Sequence, residues 1–269
     1  MHPFAKLEIP QGSVGIHWFE QNAFALRDAG GALILIDPYF PHDRPLERFI
    51  RPTPPVDEAS LPVDLVLVTH EHLDHTCPET IERIYRSSPK AMFVGPSDAV
   101  AKILDQTSVP VEQTRSIAAG ESTTCQGVSV HAFYSKPEQG DPSAGIPPAK
   151  AIHLGYVIEV GGIKLYNSGD AINTFADHNE LTAPIAALKP DVGMLTTHPT
   201  EGEFPFFEGS VRIAQKLGLD TAIPAHYACF SKRTYDPQAW AALFEPGDPK
   251  PLIIPWNSSV IYTKDEETR

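Results

Sequence analysis

The segment 63–76 constrains the fold and the chemistry of this chain more than any other part of its sequence. It starts with Asp64-Leu65-Val66-Leu67-Val68, a run of apolar and β-branched residues that is typical of a strand buried on both faces. Directly after this run come three imidazoles and one carboxylate, which belong to His70, His72, Asp74 and His75. These side chains suit Zn²⁺ or another borderline divalent ion, and Asp74 could alternatively act as an acid–base group. The segment therefore predicts a metal site at the end of a buried strand.

The residues that follow predict how this site is held. Thr76-Cys77-Pro78-Glu79 is typical of a helix start, with Thr76 as the N-cap, Pro78 in the first turn and Glu79 closing a capping box. The candidate ligands would then lie on a tight turn between a buried strand and a helix, where a rigid scaffold supports a polar site. A histidine-rich surface loop is the alternative, and four candidate ligands directly after a buried strand argue against it.

The spacing His70-x-His72-x-Asp74-His75 resembles the signature of the metallo-β-lactamase superfamily. This resemblance implies an α/β fold, the four-layer αββα sandwich, with one or two metal ions at the edge where its two sheets meet. We expect residues 1–269 to form a single domain of this kind, because no linker or break in composition divides the chain.

Three further segments resemble elements that the family places around this signature. Asp37 follows a predicted strand, and the resemblance implies that it lies behind the metal site and orients a histidine ligand. An aspartate that only caps a turn is the alternative. Ser168-Gly169-Asp170 ends a predicted hairpin and resembles the bridging-ligand motif, and Ile223-Pro224-Ala225-His226 resembles the last ligand position.

The chain departs from the family pattern at the predicted strand 127–133. Many members carry a further histidine ligand near the end of this strand, where Tyr134 stands here. His153 and His131 are the candidates to replace it, and we favour His153 because His131 alternates with Val130 and would face away from the metal. A core or loop role stays open for both histidines, and so does a first metal position that lacks this ligand.

The resemblance implies two metal positions that share Asp170. The first would be held by His70, His72, Asp170 and His153, and the second by Asp74, His75, His226 and Asp170. A metal-activated water would attack a carbonyl or phosphoryl centre, with Asp74 and Asp170 as the catalytic carboxylates. The family uses zinc, manganese or iron, and a site without thiolates does not choose between zinc and manganese.

Arginines and a second, narrower resemblance suggest the substrate. Arg44, Arg48 and Arg51 lie in the Pro-rich segment 41–62 and could line a pocket for an anion, although a solvated surface loop is the alternative. Arg51-Pro52-Thr53-Pro54-Pro55 resembles the Arg-Thr-Thr-Pro stretch of bacterial L-ascorbate-6-phosphate lactonases. The resemblance implies a small anionic ester or lactone whose remote charge is bound by Arg51.

Three other residues are candidate substrate contacts. His198 and Glu203 lie in a loop that borders the active site in the family, and a polar loop with one turn-stabilising histidine is the alternative. Tyr227 follows His226 and could orient the substrate or merely pack.

Composition excludes several classes of partner. The net charge of −13 argues against nucleic acid and against an anionic membrane surface, because both require clustered cations. Cys77, Cys125 and Cys229 show no CxxC spacing, so neither a disulfide framework nor a thiolate zinc site is indicated. The chain has no apolar run of transmembrane length and no signal-peptide core, and we expect a cytoplasmic protein. A homo-oligomer stays open.

Two other functions would use the same residues. A phosphodiesterase or nuclease would use the same metal ions, but it should also have a basic groove, and the net charge argues against one. A non-catalytic, metal-binding member of the fold would be indicated by a missing ligand, and the uncertain third ligand of the first metal position keeps this alternative open.

Overall fold

The structure is a computed structural model that describes residues 1–198 and 202–264. The first half of the chain forms β1 (Ser13–Glu20), β2 (Ala23–Arg27), β3 (Leu33–Ile36), β4 (Leu65–Leu67), α1 (Pro78–Ser87), β5 (Met92–Gly95), α2 (Ser97–Gln106), β6 (Thr114–Ser116), β7 (Ser122–Cys125) and β8 (Val128–Tyr134). The second half forms β9 (Leu154–Val160), β10 (Ile163–Asn167), α3 (Asn179–Ala187), β11 (Val192–Thr196), α4 (Phe207–Leu217), β12 (Thr221–Ala225), α5 (Pro237–Ala241), β13 (Lys250–Pro251) and β14 (Ser258–Thr263).

The strands form two mixed sheets of seven strands each. The strand order is β14-β1-β2-β3-β4-β5-β6 in the first sheet and β13-β12-β11-β10-β9-β8-β7 in the second. In the first sheet β3, β4 and β5 run parallel, and in the second β10, β11 and β12 do. Within the described residues, no helix is long and apolar enough to cross a membrane.

Three apolar layers hold the sheets and helices together. The layer between the sheets includes Ile34 from the first sheet and Tyr156 and Met194 from the second. The outer face of the first sheet packs on α1 and α2, and the outer face of the second packs on α3, α4 and α5. The predicted four-layer αββα sandwich is therefore confirmed.

Strand β4 shows why the sequence there is continuously apolar. Leu65 and Leu67 point into the layer between the sheets, whereas Val66 and Val68 point into the layer beneath the helices. Both faces of the strand are thus buried, and the alternation that marks a half-buried strand is missing.

The start of α1 differs from its prediction. The N-cap residue is Cys77, and no side chain caps the helix, so the predicted Thr76–Glu79 capping box is wrong. The Thr76 hydroxyl instead donates to the carbonyl oxygen of His70 at 2.7 Å, and Glu79 pairs with Arg83. The threonine closes the turn of candidate ligands, and this use of its hydroxyl explains why it does not cap the helix.

Strand ends from both sheets meet at one edge of the sandwich. On the first sheet this edge carries the ends of β3 and β4 and the β1–β2 turn, and on the second it carries the ends of β10, β11 and β12. Two hydrogen bonds join the sheets here, because the Tyr156 hydroxyl donates to Val68 O at 2.8 Å and Leu154 N donates to Thr69 O at 2.9 Å. The residues that follow these strands are thereby brought together.

The two fully buried tyrosines of the second sheet offer a test of this connection. Tyr156→Phe removes the bond to Val68 O and leaves a buried carbonyl without it, so we expect the free energy of unfolding to fall by about 1–2 kcal/mol. Tyr166→Phe is the matched control, because the Tyr166 hydroxyl is buried without a hydrogen-bond partner among the described residues. Urea unfolding of both variants measures the difference, and equal losses of stability would contradict the role of the Tyr156 hydroxyl.

Candidate metal centre

Asp37 organises the back of the site. Its Oδ1 accepts a hydrogen bond from Thr69 N, and its Oδ2 accepts from the Thr69 hydroxyl and from Asn22 Nδ2, all at 2.7 Å. Oδ2 also accepts from His75 Nδ1 at 2.6 Å. Because a carboxylate can only accept, His75 Nδ1 carries the donated proton, and Nε2 is the nitrogen that would bind a metal ion. The prediction that Asp37 lies behind the site and contacts a histidine agrees with this placement.

The same network orients a second histidine. The Thr69 hydroxyl donates to Asp37, so its oxygen accepts from His70 Nδ1, which lies 3.0 Å away. His70 Nε2 then faces the site, 3.1 Å from His72 Nδ1. Asp37 has a left-handed backbone with φ of +44°, which is rare for a residue other than glycine, and this conformation places its carboxylate under both histidines.

The candidate ligands form three overlapping groups, in each of which the ligand atoms lie within 4.8 Å of one another. The groups are His70, His72 and His153; His70, His75 and Asp170; and Asp74, His75 and His226. We call the residues around His70, His72 and His153 the first metal position and those around Asp74, His75 and His226 the second. All seven sequence-predicted ligands are thus brought together, whereas His131 lies in β8 and belongs to none of these groups.

His153 reaches the first position because β9 begins beside the turn of candidate ligands. Its ring stacks on that of His70, with the centroids 4.2 Å apart, and lies 5.2 Å from that of His72. The hydrogen bond from Leu154 N to Thr69 O holds the neighbouring backbone.

Asp170 lies between the two positions. Its Oδ2 is 3.6 Å from His70 Nε2, whereas its Oδ1 is 3.5 Å from His75 Nε2 and 3.3 Å from His226 Nε2. Two ligand atoms bound to one ion at tetrahedral geometry are about 3.4 Å apart. Each oxygen of Asp170 is therefore spaced to share an ion with a different set of histidines, which is the arrangement of a bridging carboxylate.

Unpaired polar atoms show that these residues fit a metal ion. His75 Nε2 and Asp170 Oδ1 are buried and have no hydrogen-bond partner among residues 1–198 and 202–264. Buried polar atoms are nearly always paired, because burying them without a partner costs about 1–3 kcal/mol each. The two atoms face each other at 3.5 Å without a hydrogen bond between them, and a divalent cation bound by both would satisfy them.

The charge states of the cluster also suit a cation. Burial lowers the pKa of His153 to about 4, and burial likewise lowers the pKa of His70 and of His226. Burial opposes ionisation of Asp170, but His226, His75 and His70 outweigh it and hold its pKa well below the usual range. Neutral imidazoles around an ionised carboxylate are the forms that bind metal ions.

His75 is the exception among these histidines. Burial disfavours its charged form, but Asp170, Asp37 and Asp74 together raise its pKa well above the ordinary value. Three carboxylates thus act on one imidazole, which shows how much negative charge the cluster holds without a cation.

The predicted substrate contacts have different surroundings from those expected. The Arg51 guanidinium donates to Ala228 O at 2.7 Å and lies over the Trp256 ring at 3.9 Å, so it packs against the chain rather than lining the cleft beside Asp74. Tyr227 is 5% exposed and stacks between two aromatic rings of the inner layer, those of Trp18 and Tyr235. Packing is therefore the role of Tyr227 that its surroundings favour.

The other two predicted contacts, His198 and Glu203, have different neighbours. His198 is buried, its ring centroid is 5.2 Å from that of His226, and burial followed by the effect of His226 lowers its pKa to about 4. Glu203 is paired with the buried Lys136.

A cleft of about 360 Å³ opens onto Asp74 and contains residues that sequence reasoning missed. Its lining residues are Glu47, Arg48, Asp74, Phe230, Ser231, Lys232 and Arg233. Lys232 and Arg233 follow His226 closely in the sequence, and this basic pair after a predicted ligand is the signal that could have identified them. Of the three arginines in segment 41–62, Arg48 lines the cleft, whereas Arg44 is buried in an ion pair with Glu20.

The fold and the site together define a metallo-β-lactamase-type protein, and comparisons with known proteins agree. Residues 33–227 match the sequence model of the Beta-lactamase superfamily domain. The UPF0173 metal-dependent hydrolase TK0141 of Thermococcus kodakarensis is 30% identical over 234 residues, which cover 84% of this chain and 89% of that protein. The chain belongs to the UPF0173 family of metal-dependent hydrolases within the metallo-β-lactamase superfamily.

Solved structures show the same fold at low sequence identity. Igni18, a metallo hydrolase from Ignicoccus hospitalis, aligns with a TM-score of 0.68 at 20% identity and covers 94% of this chain and all of its own. CmlA, a diiron β-hydroxylase from Streptomyces venezuelae, aligns with a TM-score of 0.67 at 16% identity and covers 95% of this chain and 55% of its own.

Replacing Asp37 tests its role behind the ligands. Asp37→Asn keeps a residue that tolerates the left-handed backbone but turns an acceptor into a donor facing His75 or Thr69, so we expect metal affinity to fall about 10–100-fold. Asp64→Asn is the control, because Asp64 accepts from Leu33 N at the opposite end of β4. Titration of metal-free protein with Zn²⁺ measures both affinities, and an unchanged affinity in folded Asp37→Asn would contradict the assignment.

Proposed function

We propose that this protein hydrolyses a small ester or lactone that carries a negative charge, at a centre that holds one or two divalent ions. One observation carries the proposal: the cleft beside the candidate metal centre joins Asp74 to Arg48, Lys232 and Arg233. A cleft of about 360 Å³ suits a small molecule, whereas a nuclease would need an extended basic surface.

The three cations of the cleft are available to an anion. Arg48, Lys232 and Arg233 are exposed, and none forms an ion pair with a carboxylate within the part of the chain that the structure describes. Arg48 and Arg233 lie over the Phe230 ring, at 5.3 and 5.9 Å from its centroid. In a chain with a net charge of −13, this concentration of unpaired cations favours an anionic substrate.

Two loops fix the wall that carries these cations. Ser231 N donates to Arg48 O, and Ile50 N donates to Cys229 O, both at 2.9 Å. Such backbone pairing holds the two loops together, so that less backbone entropy is lost when an anion binds between them.

The bound ions and Asp74 would have different roles in hydrolysis. Divalent ions held there would acidify a water molecule and polarise the carbonyl oxygen of the substrate. Asp74 is the candidate ligand that also lines the cleft; burial raises its pKa, but His75 and His226 outweigh this and lower it. Asp74 is therefore ionised at neutral pH, and as a carboxylate that lines the cleft it would receive the proton of the attacking water.

The identity of the ions follows from the donors only in part. Imidazole and carboxylate donors without thiolate suit zinc, manganese and iron. Zinc or manganese is our proposal, and the diiron centre in the name of the structurally similar CmlA adds iron as a candidate.

A comparison of charged and neutral substrates tests the proposal. We expect the metal-loaded protein to hydrolyse a phosphorylated sugar lactone with a higher kcat/KM than the same lactone without phosphate. Arg48→Ala and Arg233→Ala should each raise KM for the charged lactone about tenfold or more and leave kcat/KM for the neutral one unchanged. Arg86→Ala is the control, because Arg86 is an exposed arginine on α1 that pairs with Glu82.

Two results would contradict the proposal. Equal kcat/KM for the charged and the neutral lactone would show that the cleft does not bind the anion. Hydrolysis of phosphodiesters without hydrolysis of any lactone or ester would replace the reaction by phosphodiester cleavage.

A further inference from the structure

Gln21 lies at the seam between the two sheets, in the turn that joins β1 to β2. The residue is fully buried and has a left-handed backbone with φ of +54°. Its N–H donates to Tyr227 O, and its carbonyl oxygen accepts from His226 N, both at 2.9 Å. The main chain of Gln21 is thus paired with the residues at the end of β12, which carry the last candidate metal ligand.

The side chain of Gln21 contacts two candidate ligands of the second metal position. Its Nε2 lies 2.9 Å from Asp74 Oδ2 and 2.9 Å from His226 Nε2, and these two ligand atoms are 3.8 Å apart. The carboxamide has two N–H groups, so it can donate to both acceptors at once. At His226 Nε2 the amide donates to the same lone pair that would bind a metal ion, whereas Asp74 has further lone pairs free for one.

The other end of the carboxamide is left without a partner. Gln21 Oε1 is buried and accepts no hydrogen bond from the residues that the structure describes. Burying an amide oxygen without a hydrogen bond costs about 1–3 kcal/mol, and a glutamine that only filled space would gain no hydrogen bond to offset it. The orientation of the amide is therefore set by Asp74 and His226 and not by the needs of its own oxygen.

The backbone conformation around Gln21 directs its side chain toward these ligands. The pairing of β1 with β2 changes register between Trp18 and Glu20, which is a bulge immediately before Gln21. Bulges redirect side chains, and they occur frequently next to active sites. Together, the bulge and the left-handed φ direct a long side chain from the first sheet toward ligands on both sheets.

We propose that Gln21 is a positioning residue of the second metal position. It holds the carboxylate of Asp74 through its amide and the main chain of His226 through its carbonyl oxygen, so that both side chains face one ion. A metal ion on His226 Nε2 would replace the amide at that atom, and the amide would keep its bond to Asp74. This inference rests on the proposed metal centre but not on the identity of the substrate.

The test is a Zn²⁺ titration of the metal-free protein, monitored by isothermal titration calorimetry and by competition with a chromophoric chelator. Gln21→Asn is the main variant, because asparagine tolerates a left-handed backbone but is one methylene too short to reach both ligands. We expect the second Zn²⁺ equivalent to bind about 10–100-fold more weakly, with the affinity of the first equivalent unchanged. Gln21→Ala should give the same result.

Gln126→Ala is the matched control. Gln126 is also a glutamine with a left-handed backbone, φ of +52°, in the β7–β8 turn, but it is exposed and lies at the far end of the second sheet. It should bind both equivalents as the unsubstituted protein does. A Co²⁺ titration gives a second readout, since the visible absorption of the second equivalent should change in Gln21→Asn alone.

The outcomes separate this inference from the proposed centre. If the unsubstituted protein binds no second equivalent, there is no second metal position and the inference is wrong, although a centre with one ion would stand. If the unsubstituted protein binds two equivalents and Gln21→Asn binds both with equal affinity, the centre stands and the role of Gln21 is wrong. If urea unfolding shows that Gln21→Asn does not fold, Gln21→Ala is used in its place. If a folded variant binds neither Zn²⁺ equivalent, the assignment of Gln21 to the second position alone is also wrong.

Discussion

The hydrogen bonds accepted by Asp37 are the interaction on which the rest of the site depends. Four donors converge on this one buried carboxylate, and they come from Asn22, from Thr69 twice and from His75. Each bond restricts something different: the turn after β1, the backbone before the ligands, and the tautomers of two histidines. Because imidazole offers its lone pair on only one nitrogen, fixing the proton elsewhere decides which nitrogen can bind a cation.

The centre also depends on the way in which two sheets share an edge. His70, His72, Asp74 and His75 follow β4 of the first sheet, whereas Asp170 and His226 follow β10 and β12 of the second. Neither sheet alone supplies both metal positions. The bonds from Tyr156 and Leu154 to the backbone just before His70 set the distance between the sheets where this distance matters. The hydrogen bonds that stabilise the packing of the two sheets therefore also set the geometry of the metal centre.

The sequence predicted the residues whose evidence is local. The signature after β4, the Gly-Asp turn after β10 and the histidine after β12 are each visible within a few residues. Through their resemblance to the superfamily they predicted the sandwich and every candidate ligand except His153. Gln21 and Arg233 could not be found in this way, because their roles come from contacts with residues far away in the sequence. Thr76 was misread for a related reason, since its hydroxyl had a second acceptor, His70 O, that a capping pattern does not show.

Arg51 and Arg48 illustrate the same limit for the substrate. Both lie in one Pro-rich loop and look equivalent in sequence, yet only Arg48 faces the cleft, because Trp256 and the Ala228 carbonyl hold Arg51. The resemblance to a lactonase motif is at Arg51, whereas the arginine of this loop that lines the cleft is Arg48.

Three residues of the metal centre have strained backbone conformations, which cost free energy of folding. Gln21, Asp37 and His226 all have left-handed backbones, with φ between +44° and +68°, and all three are buried within one hydrogen-bonded cluster. Each such residue costs on the order of 1 kcal/mol and persists only where its surroundings determine the conformation. The three do not share a strand, so a single tight turn does not explain them. What they share is contact with Asp74, His75 or His226, and the strain is therefore accounted for by the placement of these ligands around the second metal position.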